Sequence, residues 1–379
     1  MATDKNRLNR GLFFELVRAG LWSGYSARIL SQGTPVDWEE VYRLAEEQSV
    51  VGLIAAGLDT LPFSERPPQT FVLQLVGTAL QIEQQNKAMN EFVARLVEKL
   101  RKEDVFAILV KGQGIAQCYE KPLWRSCGDI DLLLSEENYK KAKALLEQIA
   151  DNSGRETAKN TERLHQECQI SGWTVELHGT MHANLSRRID REIDKVQRDV
   201  FYGGQVRSWL NGETQVFLPR EDEDVIFVFT HILQHLFLEG IGLRQICDWC
   251  RLLWTYKDSL NHRLLESRIK KMGLITEWRV LGTMAIDFLG MPREAMPLLN
   301  ENDNKKFKKK AAKLMEFVME VGNFGHNREV DWSNGFKRRS MLIWHRITDT
   351  IKLSRVFPVD APKFLLNYAW DGFRGVVKS

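Results

Sequence analysis

The middle third of the sequence, residues 103–220, differs in its hydrophobic pattern from the chain on either side. Short apolar runs at 106–110 and 130–134 indicate buried strands, and a segment with helical periodicity follows each of them. Two later pairs of β-type runs flank Ser171-Gly172 and Asn211-Gly212, and such dipeptides are typical of two-residue hairpin turns. This order of runs predicts a mixed α/β core.

Helical periodicity dominates the rest of the chain. Residues 69–101 lack proline and place apolar side chains near one stripe, which predicts one long helix, or two helices with a kink near Gly77. From Glu221 onward helical patterns return. We therefore predict an α+β fold with a mixed-sheet core at 103–220, an N-terminal helical region at 1–102 and a C-terminal helical domain at 221–379.

The composition narrows the class of protein. Hydrophobic residues make up 44% and charged residues 27%, a balance typical of globular proteins. A formal net charge of +3 on 379 residues argues against nucleic acid as a partner. The first residues lack the uninterrupted apolar region of a signal peptide, and the five cysteines follow no disulfide pattern. We expect a cytoplasmic protein with reduced thiols.

Two carboxylates lie close together at the start of the second predicted strand. Asp129 and Asp131 are two residues apart, so both point to one side of a strand while Ile130 and Leu132 point to the other. Mutual repulsion can be relieved by a raised pKa or by a bound divalent cation, which prefers oxygen ligands. Two acidic residues on a solvated loop are the alternative interpretation.

The hairpin around Ser171-Gly172 has one polar side. With a two-residue turn, Glu167 faces Glu176 and His165 faces His178. Like charges in direct opposition destabilise a hairpin, so this side requires water, partner charges or a metal. Glu176 is the better candidate for a third metal-binding carboxylate, because its apolar neighbours indicate a central strand. A solvent-facing side of an edge hairpin remains the alternative.

A glycine turn follows the first predicted strand. Lys111-Gly112-Gln113-Gly114 leaves the strand and enters a short helical pattern, so backbone N–H groups can approach an anion there. Lys111 adds a point charge, and Arg125 adds a planar guanidinium that suits phosphate. The pattern of a P-loop is absent. A mere tight turn is the competing interpretation.

The order of these features resembles the nucleotidyltransferase core shared by DNA polymerase beta and the aminoglycoside nucleotidyltransferases. More closely, the chain resembles the uncharacterised bacterial nucleotidyltransferase family. The motifs that carry this resemblance are Leu109-Val110-Lys111-Gly112, Arg125-Ser126-Cys127-Gly128-Asp129-Ile130-Asp131-Leu132-Leu133 and Val175-Glu176-Leu177-His178. The downstream pattern His231-x-x-x-His235, with Leu243-Arg244 and Asp248, resembles the helical C-terminal half of that family.

The resemblance implies metal-dependent transfer of a nucleoside monophosphate from a nucleoside triphosphate such as ATP to an acceptor hydroxyl. The acceptor would be a sugar, another small molecule or a protein. Asp129 and Asp131 would bind Mg²⁺ or Mn²⁺, and Glu176 would bind the metal on the nucleophile side or act as general base. The residues assigned to nucleotide binding are Lys111, Gly112, Gln113, Arg125 and His178.

One departure from the wider superfamily concerns the first turn. The usual Gly-Ser is replaced by Gly112-Gln113, so the hydroxyl contact to phosphate is missing. The alternative function is therefore a catalytically weak or inactive protein of the same fold that binds a nucleotide or a partner protein.

Three further features carry weaker signals. His231 and His235 share a helix face, for which packing is favoured over acceptor binding. Cys247 and Cys250 have redox spacing within a helical pattern and are interpreted as buried. The basic run 305–310 predicts a solvated face, with peripheral contact to an anionic membrane as the alternative.

Overall fold

The computed structural model describes residues 2–29, 35–151, 164–328 and 335–377. The chain divides into two compact units. The helical unit comprises Met1–Pro67, Ala183–Glu192 and Val228–Ser379, and the sheet unit comprises Pro68–His182 and Ile193–Phe227. Each unit is a set of residues that contact one another closely, whatever their order in the chain. The three regions predicted from the sequence, with boundaries near 102 and 220, stay a prediction.

Helices account for most of the described chain outside the sheet. The α-helices are α1 (Ala2–Leu21), α2 (Trp38–Glu47), α3 (Val51–Leu58), α4 (Gln69–Lys102), α5 (Gly112–Ala116), α6 (Glu136–Glu147), α7 (Arg187–Tyr202), α8 (Glu221–Leu238), α9 (Leu243–Thr255), α10 (His262–Met272), α11 (Ile275–Leu289), α12 (Glu301–Val321), α13 (Gly335–Ser354) and α14 (Asp360–Val377). The long Pro-free pattern forms one helix, α4, as the first of its two interpretations predicted. Among the described residues, no helix is long and apolar enough to cross a bilayer.

Six strands form one mixed sheet in the sheet unit. They are β1 (Ala107–Val110), β2 (Asp129–Leu134), β3 (His165–Ile170), β4 (Trp173–His178), β5 (Arg207–Asn211) and β6 (Thr214–Leu218), in the order β3-β4-β2-β1-β6-β5. β2 pairs parallel with β4 and antiparallel with β1, and β1 pairs parallel with β6. The α+β prediction is confirmed, and so are both predicted hairpins.

One face of the sheet forms the core of its unit. Ile130, Leu132 and Leu134 of β2 are almost fully buried in a cluster with Val175 and Leu177 of β4. The apolar stripe of α4 and residues of α6 complete this cluster. Because side chains alternate along a strand, the residues between these apolar positions project from the opposite face of the sheet. The acidic and imidazole side chains of β2 and β4 lie there.

Local sequence signals explain how the strands around the site begin and end. Ser171 and Gly172 have φ angles of 52° and 79°, so both residues of the hairpin turn adopt the left-handed conformation that suits a two-residue connection. Asp151 accepts hydrogen bonds from both of their backbone N–H groups. After β2, the Ser135 side chain accepts from the backbone N–H of Asn138 and caps α6.

Candidate active site

The strand register brings the predicted carboxylates together. Asp131 of β2 lies directly opposite Glu176 of parallel β4, and Asp129 lies opposite Thr174. On the other side of β2, Asp131 faces Val110, the residue that precedes Lys111. Three neighbouring strands therefore supply polar side chains to one patch at the centre of the sheet.

Asp131 is the most enclosed acid of this patch. It is only 2% exposed, and its Oδ1 lies 2.6 Å from Lys111 Nζ and 2.8 Å from His178 Nε2. Burial alone would raise the pKa of Asp131, but the Lys111 ammonium and the hydrogen bond from His178 hold it below its usual value. Asp131 is therefore ionised at neutral pH and holds both cationic partners in place.

Lys111 occupies a strained position at the end of β1. Its φ of 56° and ψ of −147° are rare for a residue with a side chain, and such conformations concentrate at functional sites. Desolvation would lower the pKa of Lys111, but the charges of Asp131, Glu176 and Asp129 raise it. The lysine is thus a buried cation among three carboxylates.

Gly112 permits the close approach of the turn to β2. Its φ is +38°, and a Cβ there would lie 3.3 Å from Cys127 Sγ and 3.6 Å from the Asp129 carbonyl oxygen. Another residue at 112 would be strained by this φ, and its Cβ would crowd the Cys127 side chain. Gly112 therefore helps to keep Lys111 beside the carboxylates.

Glu176 lies between two imidazoles. Its Oε2 is 3.2 Å from His165 Nε2 and 3.4 Å from His178 Nε2, so His178 bridges Asp131 and Glu176. Burial would raise the pKa of Glu176, but hydrogen bonds from the two histidines keep it far below its usual value. The pKa of His178 is raised, because its hydrogen bonds to Asp131 and Glu176 outweigh desolvation.

The structure places Gln113 and Arg125 differently from the other predicted site residues. The Gln113 side-chain amide is buried and donates to Asn86 Oδ1 at 2.7 Å and to Met89 Sδ at 3.3 Å, both on α4. The Arg125 guanidinium, 7% exposed as a residue, donates to the Ser126 carbonyl oxygen at 3.2 Å. The nucleotide-binding assignment of both stays a prediction.

Two residues near the site were not assigned a role from the sequence. His165 was placed beside His178 by the hairpin register but was not assigned a role, although the facing imidazoles were a usable signal. Asn86 donates to the carbonyl oxygens of Leu123 and Arg125, both at 2.8 Å, and so fixes the loop before β2. No sequence pattern indicates that an asparagine in the middle of α4 binds the loop before β2.

The remaining candidates lie in the helical unit. His231 Nε2 lies 3.0 Å from His235 Nε2, and His235 Nδ1 lies 3.2 Å from Glu239 Oε2, so the pair is joined by polar contacts. Cys247 and Cys250 are fully buried, and burial raises the pKa of both thiols. The interpretation of these cysteines as buried is confirmed.

The donors of the patch fit a divalent cation. His165, Glu176 and His178 offer ligand atoms that all lie within 4.8 Å of one another. Asp129 and Asp131 add carboxylate oxygens from the adjacent strand. The three carboxylates exceed the one ammonium of Lys111 by two negative charges, which one dication would balance.

One comparison with known protein families finds a match to this chain. A model of the family described as uncharacterised nucleotidyltransferase matches residues 34–290, which include all six strands and the elements from α2 to α11. Comparisons with curated proteins and with solved structures find no match. The family match covers more than half of the chain, including every residue of the patch described above.

Proposed function

The chain belongs to the uncharacterised nucleotidyltransferase family, and we propose that it moves a nucleoside monophosphate from a nucleoside triphosphate to a hydroxyl group of an acceptor. The observation that carries the proposal is the opposition of Asp131 and Glu176 on adjacent parallel strands, with Lys111 Nζ 2.6 Å from Asp131. In the proposed reaction, the acceptor oxygen forms a bond to the α-phosphorus. The bond between that phosphorus and the pyrophosphate oxygen breaks.

The carboxylates would hold the divalent metal, Mg²⁺ or Mn²⁺. Asp129 and Asp131 share one face of β2, and Glu176 approaches from β4, so oxygens from two strands converge. When bound, the metal lowers the pKa of the attacking hydroxyl and neutralises charge on the leaving pyrophosphate. The lowered pKa of Glu176 keeps it ionised, which suits metal binding better than proton abstraction at neutral pH.

Lys111 would stabilise phosphate charge. The ion pair with Asp131 places its ammonium beside the carboxylates that would hold the metal, where phosphate oxygens would meet it. Gly112 would let the backbone of the turn approach the triphosphate, and Arg125, Gln113 and His178 complete the proposed nucleotide-binding set.

The test is incubation of the protein with each nucleoside triphosphate and Mg²⁺ or Mn²⁺, with a panel of hydroxyl acceptors, measuring pyrophosphate release. We expect Asp129→Asn and Glu176→Gln to lower the rate by at least about a hundredfold. Glu136→Gln is the matched control, because Glu136 is an exposed acid on α6 whose side chain pairs with Lys140 one turn along the same helix. Equal rates for wild type and both site variants would overturn the assignment.

The position of Gln113 favours a second candidate function, a nucleotide-binding protein with weak or no turnover. Its amide is bonded to α4 and no hydroxyl stands in its place. This candidate predicts calorimetric binding of nucleotide without pyrophosphate release on any acceptor. Detection of pyrophosphate release that depends on Glu176 would exclude it.

A further inference from the structure

His165, Glu176 and His178 form a cluster whose chemistry differs from that of the aspartates beside it. Two of its three donors are imidazole nitrogens and one is a carboxylate oxygen. Asp129 and Asp131 offer only oxygens. The patch therefore has a nitrogen-rich side on β3 and β4 and an oxygen-only side on β2.

The spacing of the cluster suits a bound ion. Bonds of about 2.1 Å from a metal to nitrogen and oxygen put neighbouring ligands roughly 3–3.5 Å apart. Glu176 Oε2 lies 3.2 Å from His165 Nε2 and 3.4 Å from His178 Nε2. An ion at the centre would replace the hydrogen bonds that Glu176 now accepts, and an ion on His178 Nε2 would also displace its 2.8 Å contact with Asp131.

The backbone holds the three side chains in position. His165 faces His178 directly across the antiparallel β3–β4 pair, and Glu176 lies two residues from His178 on the same face of β4. The imidazole rings have their centroids 4.8 Å apart. Because all three donors come from paired strands and none from a loop, little ordering is needed for binding.

We propose that His165, Glu176 and His178 bind a first-row transition-metal dication such as Mn²⁺, Co²⁺ or Zn²⁺, in preference to Mg²⁺. Imidazole suits these ions, whereas Mg²⁺ takes oxygen ligands in near-octahedral geometry. Only the catalytic role of this ion rests on the proposed function: it is the metal on the nucleophile side, and Asp129 and Asp131 hold Mg²⁺ with the triphosphate. Binding itself stands on the geometry.

The different ligands of the two proposed metal sites suit two different ions. A transition-metal dication with imidazole ligands lowers the pKa of a bound hydroxyl or water strongly, while a Mg²⁺ ion serves best where phosphate oxygens complete its coordination. The acceptor hydroxyl would therefore lose its proton at the nitrogen-rich side of the patch, and the proton would pass to solvent. The pyrophosphate would leave from the oxygen-only side.

The experiment is titration of the metal-free full-length protein with Co²⁺, followed by the visible absorption of the bound ion and by calorimetry, in the presence of excess Mg²⁺. We expect one tight site in the wild type, and a loss of affinity of at least about tenfold in His165→Gln. His165 is 44% exposed, so this variant should keep its fold, which circular dichroism checks. Glu176→Gln should show the same loss.

The matched control is His182→Gln. His182 belongs to the same unit and bonds to Asp194 Oδ1 at 2.6 Å, outside the cluster. We expect its Co²⁺ affinity and spectrum to equal those of the wild type. Unchanged Co²⁺ binding in His165→Gln, or equal displacement of Co²⁺ by Mg²⁺, would overturn the proposal. Tight Co²⁺ binding without pyrophosphate release would leave this site standing and refute the proposed reaction alone.

Discussion

Replacing Asp131 by asparagine separates the structural role of this residue from its role in metal binding. Lys111 and Asp131 form an ion pair with side chains 14% and 2% exposed, so neither charge is screened well by water. Removal of one partner from a buried pair typically costs about 3–5 kcal/mol, because the other charge stays buried without compensation. Asparagine keeps one oxygen for His178, and the charges of Glu176 and Asp129 still act on Lys111, so we expect a loss near the lower end, about 3 kcal/mol.

The comparison variant is Asp129→Asn. Asp129 is partly exposed and lies at the first position of β2, so its charge is partly solvated. We expect it to change the free energy of unfolding by less than about 1 kcal/mol, although both variants should abolish nucleotidyl transfer. Loss of activity would not distinguish the two variants, whereas their free energies of unfolding would.

The assay is urea denaturation at pH 7 followed by tryptophan fluorescence, extended to a double-mutant cycle with Lys111→Met. If the buried pair governs the loss, the double variant should be more stable than the sum of the single losses predicts, by roughly 1–3 kcal/mol. Strict additivity, or an Asp131→Asn variant as stable as Asp129→Asn, would refute the reasoning from the buried ion pair.

Three further outcomes follow from buried polar groups. Gln113→Ser should cost about 1–3 kcal/mol in urea denaturation, because Asn86 loses a buried donor. Burial and the charge of Asp360 raise the pKa of Glu277 to about 8, so the folded state binds the extra proton. Stability should therefore fall by about 1.4 kcal/mol per pH unit from the unfolded pKa up to pH 8, and Glu277→Gln should remove this slope. Cys247 and Cys250 should react with a thiol reagent only after denaturation, because burial keeps both protonated.

The sequence predicted those parts of the site that local rules determine. The two-residue turn at Ser171-Gly172 sets the hairpin register, so the sequence alone correctly predicts that His165 faces His178. Alternation along a strand likewise placed Asp129 and Asp131 on one face. The parallel pairing of β2 with β4 joins strands separated by about forty residues, and no local signal specifies it.

Gln113 illustrates where sequence reasoning stops. Its assignment to nucleotide binding stays a prediction, and its side chain bonds to Asn86, which precedes it by 27 residues on α4. The partner of a buried amide depends on how a distant helix packs, and the spacing within one motif contains no information about it. The sequence also does not show that α4 belongs to the sheet unit. That depends on which apolar helix face packs against the strands.

Lys111 connects the ionisation of the carboxylates with the proposed binding of phosphate. A patch of three carboxylates without a cation would repel itself, and either raised pKa values or unfolding would relieve it. The strained backbone at Lys111 places an ammonium 2.6 Å from the most buried of the acids, which helps to keep Asp131 ionised and able to bind a cation. The same ammonium is the group proposed to meet the phosphates. Its attraction to an incoming triphosphate would loosen its hold on Asp131 at the step when that carboxylate must bind the metal.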